Sequence, residues 1–394
     1  MNNPPNISNK IYFDFNATAP VYPEVGEAMR PWLMGQVGNP SSKHALGKVA
    51  REAVETARGQ VARLIEADPA EIIFTSGGTE ASTLALRGFA PAWGGFYRRF
   101  LNPYRLYLSP ADHPVSIETS LALAKEGKVW VRWLPLDKDG RVDVSQVRKR
   151  VRRGRGLASV LVAHNESGTL QPVRELADLC HARDLLLHAD GAQAVGKIPC
   201  SVKDLRCDLL TIAGHKMGAP QGIGALFVRQ GLEPKPQVHG GGQERGLRAG
   251  TEPVALIVGL GKAAEIARET MEFANTRLAS LREDLWTRLV TIFGSQILRI
   301  THPTHALPNT LFVALRGIDS GSLLADVPNL CASTGSACHD GRHQSRLLGA
   351  MGVDASWHKG TLRLSLGRGT TPQEITTVAG WLENWARNHF IQPG

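Results

Sequence analysis

The stretch Asp208-Leu-Leu-Thr-Ile-Ala-Gly-His-Lys216-Met-Gly-Ala-Pro220 decides the fold, because it is an apolar strand that runs into a polar turn. Residues 208–213 form the short apolar run of a strand covered on both faces, and glycines and a proline mark the turn. Lys216 therefore stands just past a buried strand. Burial lowers the pKa of a lysine, and a neutral amine can form a Schiff base with an aldehyde. The rest of the chain decides between this reading and an ordinary surface lysine.

Working outward from this stretch, apolar runs alternate with segments of helical periodicity. Strands are predicted at 71–75, 105–109, 130–135, 159–163, 185–189, 208–213 and 222–229, and helices at 23–34, 45–66, 81–88, 114–126, 143–151 and 172–183. Such alternation predicts an α/β fold with a mainly parallel seven-stranded sheet wrapped by helices.

The chain after this alternation has a different character. A glycine-rich loop at 240–251 precedes a long helical region from about 253 to 293, and strands near 310–316 and 361–366 precede a final helix at 372–388. We therefore expect a large domain at 16–257 and a smaller α+β domain made of 1–15 and 258–394.

Polar residues collect where the predicted strands of the large domain end. They are Thr79, His113, Asn165, Asp190, His215 and Lys216. Ligands bind at this edge of an open α/β sheet. The sequence Ser76-Gly-Gly-Thr-Glu80 also joins a strand to a helix, so its backbone amides form an anion site; the alternative is a plain capping turn with Thr79 as the N-cap.

Composition limits the remaining possibilities. The 394 residues carry 45 Lys+Arg against 36 Asp+Glu, for a formal charge of +9. No apolar run suits a bilayer or a signal peptide, and the odd number of cysteines without metal spacing indicates reduced thiols, no metal site and a cytoplasmic protein. The basic run 148–155 fits an acidic partner or nucleic acid, but the end of a helix explains it better and makes nucleic acid an improbable partner.

The strand-end residues together specify a cofactor. Lys216 offers an amine, Gly78 and Thr79 an anion cradle, Asp190 a carboxylate for a protonated ring nitrogen, and His113 a flat face. Gln193 and Asn165 can hydrogen-bond a ring hydroxyl. An aldehyde with a phosphate and a pyridine ring, pyridoxal 5'-phosphate, needs this set.

At this point the chain resembles a known family. The motifs Thr75-Ser-Gly-Gly-Thr-Glu80, His188-Ala-Asp-Gly-Ala-Gln193, Gly214-His-Lys216, Gly240-Gly-Gly-Gln-Glu-Arg245 and Arg363-Leu-Ser-Leu-Gly-Arg368 look like those of NifS/IscS-type cysteine desulfurases. These enzymes belong to the class V aminotransferases, with the type I fold of pyridoxal-phosphate-dependent transferases. The resemblance extends from Tyr12 to about residue 385.

The resemblance implies roles for these residues. Lys216 would be the Schiff-base lysine and the acid/base, Asp190 would pair with the ring nitrogen, and His113 would stack on the ring. Thr79, His215 and the Gly77-Gly78 loop would bind phosphate, and Thr251 would reach the phosphate of the neighbouring subunit in a homodimer. Arg363 would bind the substrate carboxylate beside Asn165, and Cys338 would be the nucleophile that forms a persulfide.

The implied reaction converts L-cysteine to L-alanine and passes sulfur to an acceptor or scaffold protein, for iron–sulfur clusters or thio-cofactors. One alternative is a selenocysteine lyase acting on L-selenocysteine, which motifs such as Leu307-Pro-Asn-Thr310 and Cys338-His339 also fit. Another is a different member of the fold, such as an aminotransferase or epimerase. A rival of another class is a non-catalytic sulfur-transfer or nucleic-acid-associated scaffold, motivated by the basic run.

The chain also departs from the family pattern. Ala213 stands where many desulfurases place a serine or threonine that contacts phosphate, so one phosphate hydrogen bond is expected to be missing. His164 replaces a common asparagine, and Gln344-Ser345 replaces Pro-Ser. The long segment 339–360 favours desulfurases that pass sulfur directly to a scaffold protein.

Overall fold

The computed structural model describes residues 9–91, 103–335 and 346–389. Its centre is a seven-stranded sheet in the order β2-β8-β7-β6-β5-β3-β4. The strands are β2 (Ile72–Thr75), β3 (Arg105–Leu108), β4 (Trp130–Trp133), β5 (Gly156–Leu161), β6 (Leu186–Asp190), β7 (Leu209–Ala213) and β8 (Gly224–Val228). In this sheet β8 runs antiparallel to both neighbours, while the other described pairs are parallel. The prediction of a mainly parallel sheet is confirmed.

Helices cover this sheet. They are α1 (Pro23–Met34), α2 (Ala45–Leu64), α3 (Gly78–Phe89), α4 (Pro114–Lys125), α5 (Val144–Arg150), α6 (Val173–His181) and α7 (Val202–Leu205). Strands β2, β5, β7 and β8 are buried along their whole length. Apolar side chains of α2 at helical spacing, among them Val54, Ala57 and Val61, join the same core.

A second, smaller sheet follows the 40-residue helix α8 (Val254–Phe293). Its order is β12-β13-β10-β9, from β9 (Ile297–Arg299), β10 (Thr310–Leu315), β12 (Ser333–Thr334) and β13 (Thr361–Ser365), all paired antiparallel. The N-terminal β1 (Ile11–Tyr12) pairs with β11 (Leu330–Cys331), and α9 (Ser320–Asp326), α10 (Arg346–Met351) and α11 (Pro372–His389) complete this part. The predicted smaller α+β unit is therefore present.

The smaller sheet has a hydrophobic core of its own. Phe13 from the N-terminal arm, Leu285 and Leu289 from α8, and Leu364 from β13 are fully or almost fully buried in it. The proposed domain boundary at 257/258 falls inside the continuous α8, and the division stays a prediction. Within the described residues, no helix is long and apolar enough to cross a bilayer.

Candidate active site

Lys216 ends a single 3-10 turn, Gly214–Lys216, that follows β7 directly. The turn requires glycine, because a Cβ on Gly214 would lie 2.9 Å from the carbonyl oxygen of Ile223. Burial lowers the pKa of the Lys216 amine, the nearby charge of Arg363 lowers it further, and Asp190 opposes both. Loss of solvation and a neighbouring cation favour the neutral amine, so Lys216 is better prepared than a surface lysine to act as a nucleophile or base.

Asp190 and His113 lie at the same edge of the sheet. Asp190 ends β6, is 4% exposed, and accepts a hydrogen bond at Oδ1 from the backbone N–H of Ala192 at 3.0 Å. His113 is the N-cap of α4, and its Nδ1 accepts from the N–H of Val115 at 3.2 Å, which leaves the proton of the neutral ring on Nε2. Burial lowers the pKa of His113. The charge of Asp190 raises this pKa, and the charge of Lys216 lowers it.

The N-terminus of α3 forms an anion cradle. Gly77 is its N-cap with φ of 154°, a conformation that side chains disfavour. A Cβ on Gly78 would lie 3.2 Å from the Cβ of Ala213, so glycine lets this turn approach the end of β7. Thr79 is exposed inside the first turn, and the alternative with Thr79 as N-cap is therefore wrong. The first N–H groups of a helix have no intrahelical acceptor and attract anions.

His215 connects the lysine turn to the N-terminal segment. Its Nδ1 lies 3.2 Å from Oγ1 of Thr18, and its carbonyl oxygen accepts from the N–H of Ala19 at 2.8 Å. Burial lowers the pKa of His215, and the charges of Lys216 and Lys197 add to this effect. A neutral imidazole here can donate a hydrogen bond from Nε2.

Arg363 brings the smaller sheet to the strand ends. From β13 its Nη1 donates to the carbonyl oxygen of Asn165 at 2.9 Å, and its Nη2 donates to Asp14 Oδ1 at 2.6 Å and Ser333 Oγ at 3.0 Å. Its Nε is buried and has no acceptor among the described residues. The guanidinium therefore retains a donor for an anionic ligand, although protein groups hold most of its fork.

Gln193 belongs to a buried network that the sequence reasoning missed. Its Nε2 donates to the carbonyl oxygen of Asn16 at 2.9 Å, and its Oε1 accepts from Lys197 Nζ at 3.1 Å. Lys197 also donates to Asn16 Oδ1 at 2.8 Å, and Asn309 Nδ2 reaches the same oxygen at 3.2 Å. Burial, and then the charges of Lys216 and Arg363, put the pKa of Lys197 well below its ordinary value. No local pattern around Lys197 signals this role, because a lysine after a glycine turn usually lies at the surface.

His164 fixes the loop that carries Asn165. Its Nδ1 accepts from the N–H groups of Glu166 and Ser167, at 3.2 and 3.3 Å, and its Nε2 lies 3.1 Å from the carbonyl oxygen of Ala111. Burial lowers its pKa to about 4, so the neutral ring with a proton on Nε2 joins the Asn165 and His113 loops. This residue, noted only as a departure from the family pattern, is thus a structural link.

The thiols fall into distinct groups. Cys180, Cys200 and Cys207 are buried, and burial raises the pKa of each, to about 12 for the first two. Such thiols are poor nucleophiles at neutral pH. Cys331 is half-buried in β11, and Cys338 lies outside the described residues. Thr251 is exposed at the end of the 240–251 loop.

These residues fit a phosphate-bearing aldehyde with a ring nitrogen. The cradle at α3 lies against Ala213, three residues before Lys216. The Asp190 carboxylate receives one hydrogen bond from the described residues, at Oδ1, which leaves Oδ2 for a protonated ring nitrogen. In the described part of the chain, no group of His, Cys, Asp and Glu is placed to hold a metal ion. The strand-end lysine, the carboxylate and the anion cradle thus define a pyridoxal-phosphate-dependent enzyme.

Comparisons with known proteins identify the family within this class of enzymes. The model of the aminotransferase class-V family matches residues 11–378, so the chain belongs to this family. It is 38% identical over 390 residues to a human cysteine desulfurase, covering 97% of this chain and 83% of that protein. A solved NifS-like protein matches with a TM-score of 0.88 at 33% identity, covering 96% and 100% of the two chains. A structure titled SspA in complex with cysteine matches with a TM-score of 0.79 at 33% identity, covering 90% and 98%.

Proposed function

We propose that this protein is a cysteine desulfurase that converts L-cysteine to L-alanine and retains the sulfur as a persulfide on Cys338. The observation that carries the proposal is the half-buried Lys216 just after β7, next to strand β6 that ends at Asp190, with Arg363 of the smaller sheet bonded to the Asn165 carbonyl after β5. Membership of the aminotransferase class-V family and similarity to a human cysteine desulfurase support it. The cofactor, when bound, supplies an electron sink for the substrate α-carbon.

Each cofactor-binding residue has a task that its position supports. The α3 N-terminus with Gly78 and Thr79 would hold the phosphate, assisted by His215. Asp190 would keep the ring nitrogen protonated, and His113 would cover one face of the ring. Gln193 and Asn165 would contact the ring hydroxyl. Lys197 and Asn16 use both ends of the Gln193 amide, which fixes its orientation and leaves its second N–H to donate.

Lys216 and Arg363 would handle the substrate. Lys216 would hold the cofactor aldehyde and then move the substrate α-proton, because its lowered pKa favours the neutral amine. Arg363 would bind the substrate carboxylate through Nε, which has no acceptor among the described residues. The charge of Arg363 also lowers the pKa of Lys216. The same guanidinium would therefore bind the substrate carboxylate and set the pKa of the Lys216 amine.

Cys338 would take the sulfur. Its thiolate would attack the substrate sulfur, the S–S bond would form as the carbon–sulfur bond breaks, and protonation of the carbon fragment would give alanine. Atoms balance, since L-cysteine and one thiol become L-alanine and one persulfide. The high pKa values of Cys180 and Cys200 support the exclusion of these two thiols.

A homodimer and a cytoplasmic location complete the proposal. Apolar side chains are exposed at the end of α1, in the loop after it and at the start of α2, namely Leu33, Met34, Val37 and Leu46 at 60%, 82%, 70% and 53%. Contiguous exposed apolar surface favours burial against another chain, and the exposed Thr251 would then serve the neighbouring cofactor site. Free cysteines in the described residues favour a reducing compartment. We also propose the domain division at 257/258, and a protein acceptor for the sulfur.

Alanine release tests this function. With L-cysteine and a reductant, we expect turnover that Lys216→Ala and Cys338→Ala both abolish, while the matched control Cys331→Ala retains it. Lys216→Ala should also remove the visible absorbance of the lysine-bound cofactor. Rapid release from L-selenocysteine with almost none from L-cysteine would instead identify a selenocysteine lyase. Unchanged cysteine turnover in Cys338→Ala would refute the persulfide assignment.

A further inference from the structure

A second cavity lies along the edge strand β4, away from the Lys216 cluster. It has a volume of about 470 Å³, and the described residues that line it include basic and aromatic side chains and no acidic one. The basic members come from three separate parts of the chain. They are Arg105, Arg132, Lys149, Arg150 and Arg152.

Strand register explains how these residues meet. In the parallel pair β3–β4, Arg105 lies beside Trp130 and Tyr107 lies beside Arg132. Alternate residues of a strand share a face, so these four side chains lie on one face of the sheet at its outer edge. The guanidinium of Arg132 lies 5.1 Å from the ring centre of Trp130. Cations and aromatic rings are thus interleaved across the two strands.

The basic run 148–155 closes the cavity. Helix α5 ends at Arg150, which confirms that part of the run is a helix C-terminus. Beyond the helix the backbone N–H of Arg152 donates to Oη of Tyr107 at 3.2 Å, which ties the run to the sheet. The fold therefore brings Arg105 and Arg132 of the two strands next to the basic run 148–155. These residues are too far apart in the sequence for this cluster to be predicted from it.

The cavity cations lack carboxylate partners. None of the five forms an ion pair within the described parts of the chain, whereas Arg153 of the same run pairs with Asp184 at 2.6 Å. Uncompensated like charges produce a positive potential that attracts a polyanion. A charged edge that prevents strand pairing would explain Arg132, but it would not explain the cations on β3 and after α5.

We propose that this cavity binds a single-stranded polynucleotide. Four of the five cations are arginines, whose planar forks match phosphate oxygens. Trp130 is half-buried on the same face as Arg132 and offers a ring on which a base can stack; cationic grooves with such rings bind single strands without reading sequence. An acidic peptide would use the charges and leave the Trp130 ring unexplained. The sequence pI of about 9.5 agrees with a nucleic-acid partner.

The site is separate from the reaction centre. Asp190 ends β6 and Lys216 follows β7, whereas β4 is the outermost strand, beyond β5 and β3. A strand bound at this edge would leave the Lys216 cluster accessible. Binding and alanine release can therefore be measured independently, and failure of one does not imply failure of the other.

Fluorescence anisotropy of the holoenzyme with a labelled 15-nucleotide oligothymidylate tests the proposal. We expect binding that weakens with salt, with a slope of log K against log[salt] of about −3.5 for five phosphate contacts. Arg132→Gln should reduce the slope by about 0.7, and Trp130→Ala should weaken binding by roughly 5- to 150-fold. Alanine release should be unchanged in both variants.

The matched control is Arg153→Gln, which removes a neighbouring charge that already has a carboxylate partner. It should retain the parent affinity and slope within about 0.2 of a unit. If Arg153→Gln and Arg132→Gln lost the same affinity for the oligonucleotide, the binding would depend on net charge alone and the proposal would be overturned. If polyglutamate of matched charge bound as tightly as the oligonucleotide and Trp130→Ala had no effect, the cavity would be a surface for an acidic protein instead.

Discussion

A buried ion pair holds the 240–251 loop, and its removal gives a measurable prediction. Arg58 on α2 and Glu244 are 4% and 6% exposed and form two parallel hydrogen bonds of 2.8 Å. The same carboxylate accepts from the N–H of Phe74 at 2.8 Å, and Arg58 donates to the carbonyl oxygen of Ile72 at 2.9 Å. The pair thus joins α2, β2 and the loop that leads to Thr251.

Glu244→Gln keeps the side-chain shape and removes the charge. Burial alone would lower the pKa of Arg58, but the hydrogen bonds and charge of Glu244, together with Glu55, raise it above its ordinary value. In the variant a guanidinium stays buried without that partner, which costs about 3–5 kcal/mol of unfolding free energy. Glu55 still contacts Arg58 Nε at 3.1 Å from a 57% exposed position, so we expect about 3 kcal/mol, the lower end of that range.

Urea unfolding followed by circular dichroism, at fixed protein concentration and saturating cofactor, measures the loss. Glu55→Gln is the control and should cost less than about 1 kcal/mol, as exposed pairs do. The double variant Arg58→Met/Glu244→Gln should cost less than Glu244→Gln alone, because no buried charge remains. A cost below about 1 kcal/mol for Glu244→Gln, or strict additivity in the double variant, would refute the reasoning.

Three further predictions concern the site. Burial lowers the pKa values of His164 and His188 to about 4, so both rings stay neutral in the folded protein but protonate near pH 6.5 in the unfolded chain. The stability present above pH 6.5 should therefore fall toward pH 4, by up to about 3 kcal/mol for each histidine. Urea midpoints measured at several pH values should fall less steeply for His164→Asn than for the parent protein. Lys197→Met should leave Gln193 Oε1 without its donor, cost about 1–3 kcal/mol and weaken cofactor binding, measured by visible absorbance, while parent-like binding would exclude the positioning role. Ala213→Ser should add one charge-assisted hydrogen bond and tighten that binding by about tenfold or more; no change would show that the hydroxyl does not reach the phosphate.

The regular part of the molecule could be predicted because its signals are local. The apolar run before Lys216 and the glycines before α3 each determine a strand end or a helix start within a few residues. The apolar pattern predicts β5 at 159–163, whereas the strand spans Gly156–Leu161, since the small and polar residues at its start hide its periodicity. Strands β9, β11 and β12, of two or three residues each, were missed because such short pieces have no period to detect.

The contacts between distant segments could not be predicted in this way. Lys197 reads as a surface lysine, and its burial depends on Asn16, which lies 181 positions earlier. Arg58 reads as one of many helix arginines until Glu244 reaches it across 186 positions. Only the folded chain shows which polar groups share a buried site. The sequence around a lysine or an arginine does not indicate which distant acceptor it will bond.

Arg363 shows how the two sheets make one site. Asn165 after β5 accepts from its Nη1 and Asp14 from the N-terminal arm accepts from its Nη2, and its charge in turn lowers the pKa of Lys216. A substrate carboxylate at the remaining Nε would neutralise part of that charge, and the pKa of Lys216 would then rise. Substrate binding would therefore strengthen the base at the moment when the α-proton must be taken. The same link makes the base depend on the packing of the smaller sheet against the larger one, because separation of the sheets would remove Arg363 from both Asn165 and Lys216.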